Sequence, residues 1–174
     1  MRPLATARRS RKRLKPENQN DADAFHVTGD TQSASQIMAE TLKFQIVTPD
    51  GEAYSQDVDM VTLPGIEGQL GVYPQHVPLM TQMTPGEIIV RKDGHDSYLA
   101  VGEGLVEIMG DHVAVLTDMA IASEKIDEAK VEEARRRAEA RLQEKLSGEE
   151  VASVNASLAR SAAQLRVKRR HRTG

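Results

Sequence analysis

From Leu42 to Leu116 the apolar positions alternate with polar ones in short runs, and turn-forming residues interrupt them about every eight to twelve positions. Leu42, Phe44 and Ile46 alternate with Lys43, Gln45 and Val47, and Thr48-Pro49-Asp50-Gly51 then supplies strong turn chemistry. Val58, Met60, Val61 and Leu63 lead to Pro64-Gly65, and Ile88 and Val90 follow Pro85-Gly86. Asp93-Gly94 turns the chain into Tyr98-Leu99-Ala100-Val101. Val106 and Ile108 follow Gly102-Glu103-Gly104, and Gly110-Asp111 precedes Val113, Val115 and Leu116. No helical period lies between these turns, so the pattern predicts an antiparallel β-sandwich or barrel of about ten short strands over residues 41–123, and the sandwich is the architecture expected here. The run Gly65 to Leu79, with three glycines, two prolines and a histidine, reads as a shaped loop carried on that scaffold.

After residue 124 the period changes. Ala134, Ala138, Leu142 and Leu146 recur every four residues, and Val151, Val154, Leu158, Ala162 and Leu165 form a second stripe. Between them Ser147-Gly148-Glu149-Glu150 supplies a break and a capping box. A break this short predicts two antiparallel neighbouring helices, making residues 124–174 a helical hairpin with a basic tail and the whole an α+β fold. Glu132–Arg136 and Glu133–Arg137 are spaced as i,i+4 ion pairs. The stripe leans on alanine, which buries less than half the apolar area of leucine. Such a seam suits either a permanently closed hairpin or one that exchanges between docked and opened forms.

Composition narrows the class. The chain has no cysteine, which excludes a disulfide framework and a thiolate metal site. No apolar stretch approaches the roughly 20 residues of a membrane helix. Aromatic residues make up 3% with no Trp, a poor supply of stacking platforms for single-stranded nucleic acid. The net charge of −3 conceals blocks: residues 1–16 carry seven Arg/Lys and no acid, and residues 17–40 carry five acids and no Lys or Arg. Residues 41–123 hold 3 basic and 12 acidic groups, and residues 124–174 hold 13 basic and 9 acidic. Residues 1–40 lack apolar periodicity and read as a disordered extension. They could be a transit peptide, a bacterial extension, or sequence ahead of a start at Met38. The second helix carries Arg160, Arg166, Lys168, Arg169, Arg170 and Arg172 and no acid after Glu150, more than a helix dipole uses. Either an acidic partner or solvent faces it.

Catalytic patterns are missing. His26, His76, His95, His112 and His171 are scattered without zinc-ligand spacing, and there is no Gly-x-Ser-x-Gly elbow. Gly65, Gly68 and Gly71 are not followed by Gly-Lys-Ser/Thr, which excludes a P-loop. The Asp57/Asp59 pair reads as a solvated strand face.

An acidic sandwich followed by an alanine-rich hairpin resembles the epsilon subunit of F-type ATP synthases, and motifs appear in register. Thr41 to Pro49 looks like that family's first strand. Gly68, Leu70-Gly71, Pro74, His76 and Pro78-Leu79 match its signature loop. Gly102, Val106-Glu107-Ile108, Val113, Val115-Leu116 and Asp118 match its closing strands, and Ile126-Asp127 opens the hairpin. The resemblance covers about residues 41–170. It implies a non-catalytic rotor subunit of the central stalk, coupling the gamma subunit to the c-ring without a cofactor. By the same resemblance His76, Pro78 and Leu79 face gamma, and Glu67, Gly68 and Gln69 meet the c-ring.

The family's hairpin can swing up and block ATP hydrolysis, with Arg160, Arg166, Lys168, Arg169 and Arg170 facing acidic segments of the beta subunit. Some bacterial members hold ATP on the folded hairpin. Here Ile126, Asp127, Lys130 and Arg160 form only a degenerate version, with Lys130 where Arg is expected and Gln164 in place of another Arg, so ATP binding should be weak or absent. The implied location is peripheral, on the cytoplasmic face of a bacterial inner membrane, or on the matrix side of a mitochondrion if residues 1–37 are a transit peptide. Membrane association would come only through the complex. The competing readings are a stand-alone module whose basic hairpin recruits an acidic protein, and a basic-armed nucleic-acid binder.

Overall fold

Alternation along a strand sends successive side chains to opposite faces, and burial in the computed structural model follows that period. In β1 (Leu42–Thr48), Leu42, Phe44 and Ile46 are fully buried while Lys43 and Val47 reach the surface. The structure describes residues 41–172, so the expectations for residues 1–40 lie outside the described residues. Nine further strands follow: β2 (Gly51–Val58), β3 (Met60–Gly65), β4 (Gly68–Val72), β5 (His76–Met83), β6 (Gly86–Lys92), β7 (His95–Val101), β8 (Gly104–Gly110), β9 (His112–Thr117) and β10 (Ala120–Ala122). A 3-10 turn (Ser123–Lys125) then leads to α1 (Glu128–Arg141) and α2 (Gly148–Arg170).

The ladder is continuous but folds over into a sandwich. One layer runs β10-β7-β6-β3-β4 and the other β5-β8-β9-β1-β2. They join where Gly65 pairs with Met83 and the Thr84 amide donates to the Pro64 carbonyl at 2.9 Å. Every pairing is antiparallel except β1 with β9, which sets Phe44 beside Val113 and Ile46 beside Val115. Sixteen buried apolar residues, all between Leu42 and Val115, form the core between the layers. Each large side chain there contributes roughly 1.5–3 kcal/mol, so the sandwich holds its core without any residue of the hairpin.

The run Gly65 to Leu79 is more regular than its glycines and prolines suggest. It contains all of β4 and the start of β5, and the irregular parts shrink to a two-residue turn at Ile66-Glu67 and the bend Tyr73–Gln75. Inward-facing Leu70 and Val72 draw the segment into the sheet, Val72 being fully buried. Pro78 lies inside β5, where the register against β8 shifts between His76 and Leu79. A residue without a backbone donor fits at such an irregularity.

The hairpin is shorter and less symmetric than its four-residue stripe predicts. Helix α1 ends at Arg141, so Leu146 lies in the connector, and Ala134 is exposed. The side turned away from solvent is instead Val131, Arg135, Ala138 and Leu142. In α2, Val154 and Leu165 are buried as expected and Leu158 partly so, but Val151 and Ala162 are exposed while Ser161, Ala163 and Val167 are buried. The reason is that α2 has two neighbours. Arg160, Gln164, Val167 and His171 contact the sandwich. Val154, Leu158, Ser161, Leu165 and Arg169 lie about 130° around the helix at 100° per residue, and Arg169 meets α1. One stripe could not serve both.

The caps are as the sequence indicates. The Ser147 amide donates to Glu150 Oε2 at 2.9 Å, and the Glu150 amide donates to Ser147 Oγ at 3.3 Å. Asp127 caps α1, its carboxylate accepting from the Ala129 and Lys130 amides at 3.1 and 3.2 Å. On the helix surface Glu133 pairs with Arg137 as the spacing predicts. Glu132 does not pair with Arg136. It approaches Arg135 at 3.8 Å and Arg169 of α2 at 3.6 Å, because its helix face turns toward α2.

Candidate functional site

The two layers differ in what covers them. On the first, the outward side chains Tyr98 and Ala100 of β7 and Ile121 of β10 pack with Ile126, Val131 and Val167 of the hairpin. On the second, nothing covers the outward side chains among the described residues. Val106, Ile108, Val113 and Val115 point into the core, so their neighbours Leu105, Met109 and Leu116 point out, with exposures of 48%, 54% and 54%. Register places Val47 of β1 beside Leu116 of β9, Leu116 beside Leu105 of β8, and Leu105 beside Gln82 of β5. Met80 of β5, 67% exposed, stands opposite Glu107 two positions along. The result is an apolar strip in register across β1, β9 and β8, with Met80 diagonal to it on β5, a feature that marks a binding surface.

The residues expected to face gamma sit at the end of β5, the first strand of this layer. His76 is half-buried and its Nδ1 lies 2.8 Å from the Val77 carbonyl oxygen, while Pro78 and Leu79 are exposed. Most of the strip was not anticipated. Its signal is present in the sequence: Leu105 to Met109 and Val113 to Leu116 are apolar at both parities, as in strands covered on two faces. The residues expected to meet the c-ring, Glu67, Gly68 and Gln69, are all exposed at the β3–β4 hairpin. Gly68 has a φ of +127°, which a side chain would strain, and Ile66 beside them is 52% exposed.

The basic run of α2 faces acids of the same chain. Arg160 pairs with Asp118, and Lys168 donates to the Ser123 carbonyl at 3.1 Å. Arg169 pairs with Glu128 at 2.7 Å, and Arg170 reaches Glu87 Oε2 at 2.6 Å. Arg166 is exposed, with no polar partner among the described residues. The sequence alone showed the cations but not these acids, because Glu87 and Asp118 are distant in the chain from the arginines they meet. The Glu128 carboxyl is held below the usual carboxylate range by its bond from Arg169.

The degenerate nucleotide constellation does not come together. Ile126 is buried beneath the hairpin, Asp127 is engaged as a cap, and Lys130 lies 3.5 Å from Asp127. Arg160 is bound to Asp118, nine residues before the arginine that meets the start of α1, or about 13 Å along the helix axis. Gln164 contacts the Met119 sulfur at 2.9 Å. No group of three or more metal-ligating side chains occurs among the described residues, and no helix there is long and apolar enough to cross a membrane.

A sandwich with one face capped by its own hairpin and an uncovered apolar strip on the other has the form of a docking subunit. The sequence family described as ATP synthase, Delta/Epsilon chain, beta-sandwich domain matches residues 41–123, and its long alpha-helix domain matches residues 124–169. The chain belongs to the ATP synthase delta/epsilon chain family, whose members are non-catalytic subunits of the complex. The ATP synthase epsilon chain of Bacillus licheniformis is 38% identical over 130 residues, 75% of this chain and 99% of that relative. The fold is similar to a chain of the Euglena gracilis mitochondrial ATP synthase OSCP/F1/c-ring assembly. That likeness has a TM-score of 0.60 at 18% identity and covers 89% of this chain and 96% of the other. A chain of the Tetrahymena thermophila mitochondrial ATP synthase central stalk and c-ring gives a TM-score of 0.51 at 12% identity, covering 73% and 96%.

Proposed function

We propose that this protein is the central-stalk rotor subunit of a proton-translocating F-type ATP synthase, joining gamma to the c-ring, and that its hairpin acts as a conformational brake on ATP hydrolysis. The observation that carries the rotor reading is the apolar strip Val47–Leu116–Leu105 with Met80 and Met109, left uncovered on a chain whose family works inside a larger assembly. Gamma is its proposed occupant, with His76, Pro78 and Leu79 at the margin. The turn Glu67-Gly68-Gln69 is offered to the polar loops of the c-ring; Gln69 brings no charge, so Glu67 supplies the ionic part. Neither surface suits nucleic acid. Membrane attachment comes through the complex, at the cytoplasmic face of a bacterial inner membrane.

The brake follows from the partners of the basic helix. In the docked form Arg160, Lys168, Arg169 and Arg170 are satisfied by groups of their own chain. Extending the hairpin to acidic segments of the beta subunit exchanges these pairs for similar ones. The net difference between states is then small, as a switch requires. Apolar docking is also modest, since among the described residues only Ala100, Ile126 and Val167 are fully enclosed between hairpin and sheet. Removal of residues after Ser123 tests the brake. The core contains no hairpin residue, so the truncated chain is expected to stay folded and assembled while basal ATP hydrolysis by the complex rises. Hydrolysis equal to that of the intact complex would contradict inhibition.

A further inference from the structure

The end of α2 meets the sandwich in an unusual way for so small an interface. Glu87, on the outward side of β6, is 7% exposed, and its side chain is almost entirely enclosed. Its two carboxylate oxygens take different partners: Arg170 Nη1 lies 2.6 Å from Oε2, and His171 Nε2 lies 2.6 Å from Oε1. The His171 ring stacks on Tyr98 with centroids 3.4 Å apart and planes 9° from parallel. Burying a carboxylate is expensive unless it is paired and hydrogen-bonded, and here every partner that compensates it comes from the last turn of α2 or its cap.

This geometry has a directional consequence. When the hairpin is down, Glu87 is enclosed and doubly bonded. When the hairpin lifts, Glu87 returns to water and costs nothing, but Arg170 and His171 lose their anchor and Tyr98 loses its stacking partner. The apolar part of the interface, Ala100 with Ile126 and Val167, cannot discriminate strongly between states by itself.

We propose that Glu87, Arg170, His171 and Tyr98 form an ionic latch that sets the population of docked hairpin, with Glu87 as its keystone. The claim concerns docking within this chain and holds whether or not the released hairpin inhibits hydrolysis. A charge-assisted bond to an enclosed carboxylate is stronger than a neutral one, so Glu87→Gln keeps the shape but weakens the latch. Arg166, exposed and without a polar partner among the described residues, supplies the control through Arg166→Ala.

Native-state hydrogen exchange of the full chain reads the opening directly. In Glu87→Gln, amides of α2 are expected to exchange about tenfold faster or more, while the buried strands β6 and β8 keep their rates and Arg166→Ala behaves as the parent. Glu87→Arg combined with Arg170→Glu, which reverses the pair, should restore slow exchange in α2 relative to Glu87→Arg alone. The latch is overturned if α2 in Glu87→Gln exchanges within twofold of the parent. It is equally overturned if all strands accelerate together with α2, which would make Glu87 a support of the whole fold, or if the reversed pair gives no recovery.

Discussion

At the scale of single residues, position in space rather than chemical type decides role. Arg160 shows this. As one cation of a basic run it is open to nucleotide, to an acidic partner or to solvent, but the fold binds it to Asp118. Asp118 itself has little freedom: a Cβ built on Gly102 would lie 1.7 Å from its Oδ1, so the carboxylate rests directly on that glycine. With Arg160 anchored there, Gln164 on a methionine sulfur and Lys130 beside Asp127, the three side chains are not gathered around a phosphate. Titration of the isolated protein with ATP is therefore expected to show no submillimolar affinity, and a submillimolar dissociation constant would contradict this. The expectation of weak nucleotide binding rests on Lys130 and Gln164, which stand where the resemblance implies arginines. The partner of Arg160 was not legible in the sequence, since a pairing across 42 residues leaves no trace in local spacing.

At the scale of elements, the strands were largely legible and the helices only partly. A strand in a sandwich answers to one core, so a period-two pattern marks β1 directly, while β6 and β9, apolar at consecutive positions, are marked by the turn residues that bound them. Segment Gly65 to Leu79 misled because Gly65, Gly68 and Pro74 serve two tight bends, while Gly71 and Pro78 sit inside strands β4 and β5. In the hairpin, α2 packs on the sheet and on α1 at once, and a single stripe cannot describe it. Local chemistry was more dependable than the stripe: Ser147 with Glu150, and Asp127, cap the helices as their residue types predict.

Those caps give the hairpin a pH dependence. Bonds from the Lys130 amide hold the Asp127 carboxyl below its ordinary value of 3.8, and bonds from Ser147 hold Glu150 below 4.5. Glu128 is also held below 4.5, by Arg169. A depressed folded-state value means these groups stabilise the hairpin above the ordinary range, with the contribution lost as pH falls through the folded-state values. On acidification below about pH 4, helical circular dichroism is expected to decline before the strand signal does. Loss of both signals in one transition would contradict an independently weakened hairpin.

At the scale of the molecule, the arrangement is a stack: α1 on α2, α2 on the first layer of sheet, that layer on the second, and the second facing outward with an apolar strip. The sandwich-plus-hairpin order and its family were readable from motif register. The strip as a surface was not, because it is assembled by pairing Val47, Leu116 and Leu105 across three strands. In the proposed function the two faces take separate tasks, one regulating through the hairpin and one holding gamma.

The measurement that bears most directly on the rotor assignment is binding of the full chain to purified gamma subunit, parent against Leu105→Asp/Leu116→Asp. Both side chains are about half exposed, so the double variant should keep the parent's thermal stability to within roughly 1 kcal/mol. Placing two carboxylates on the strip is expected to weaken gamma binding by about a hundredfold or more. A variant that folds normally and binds gamma as tightly as the parent would contradict the account.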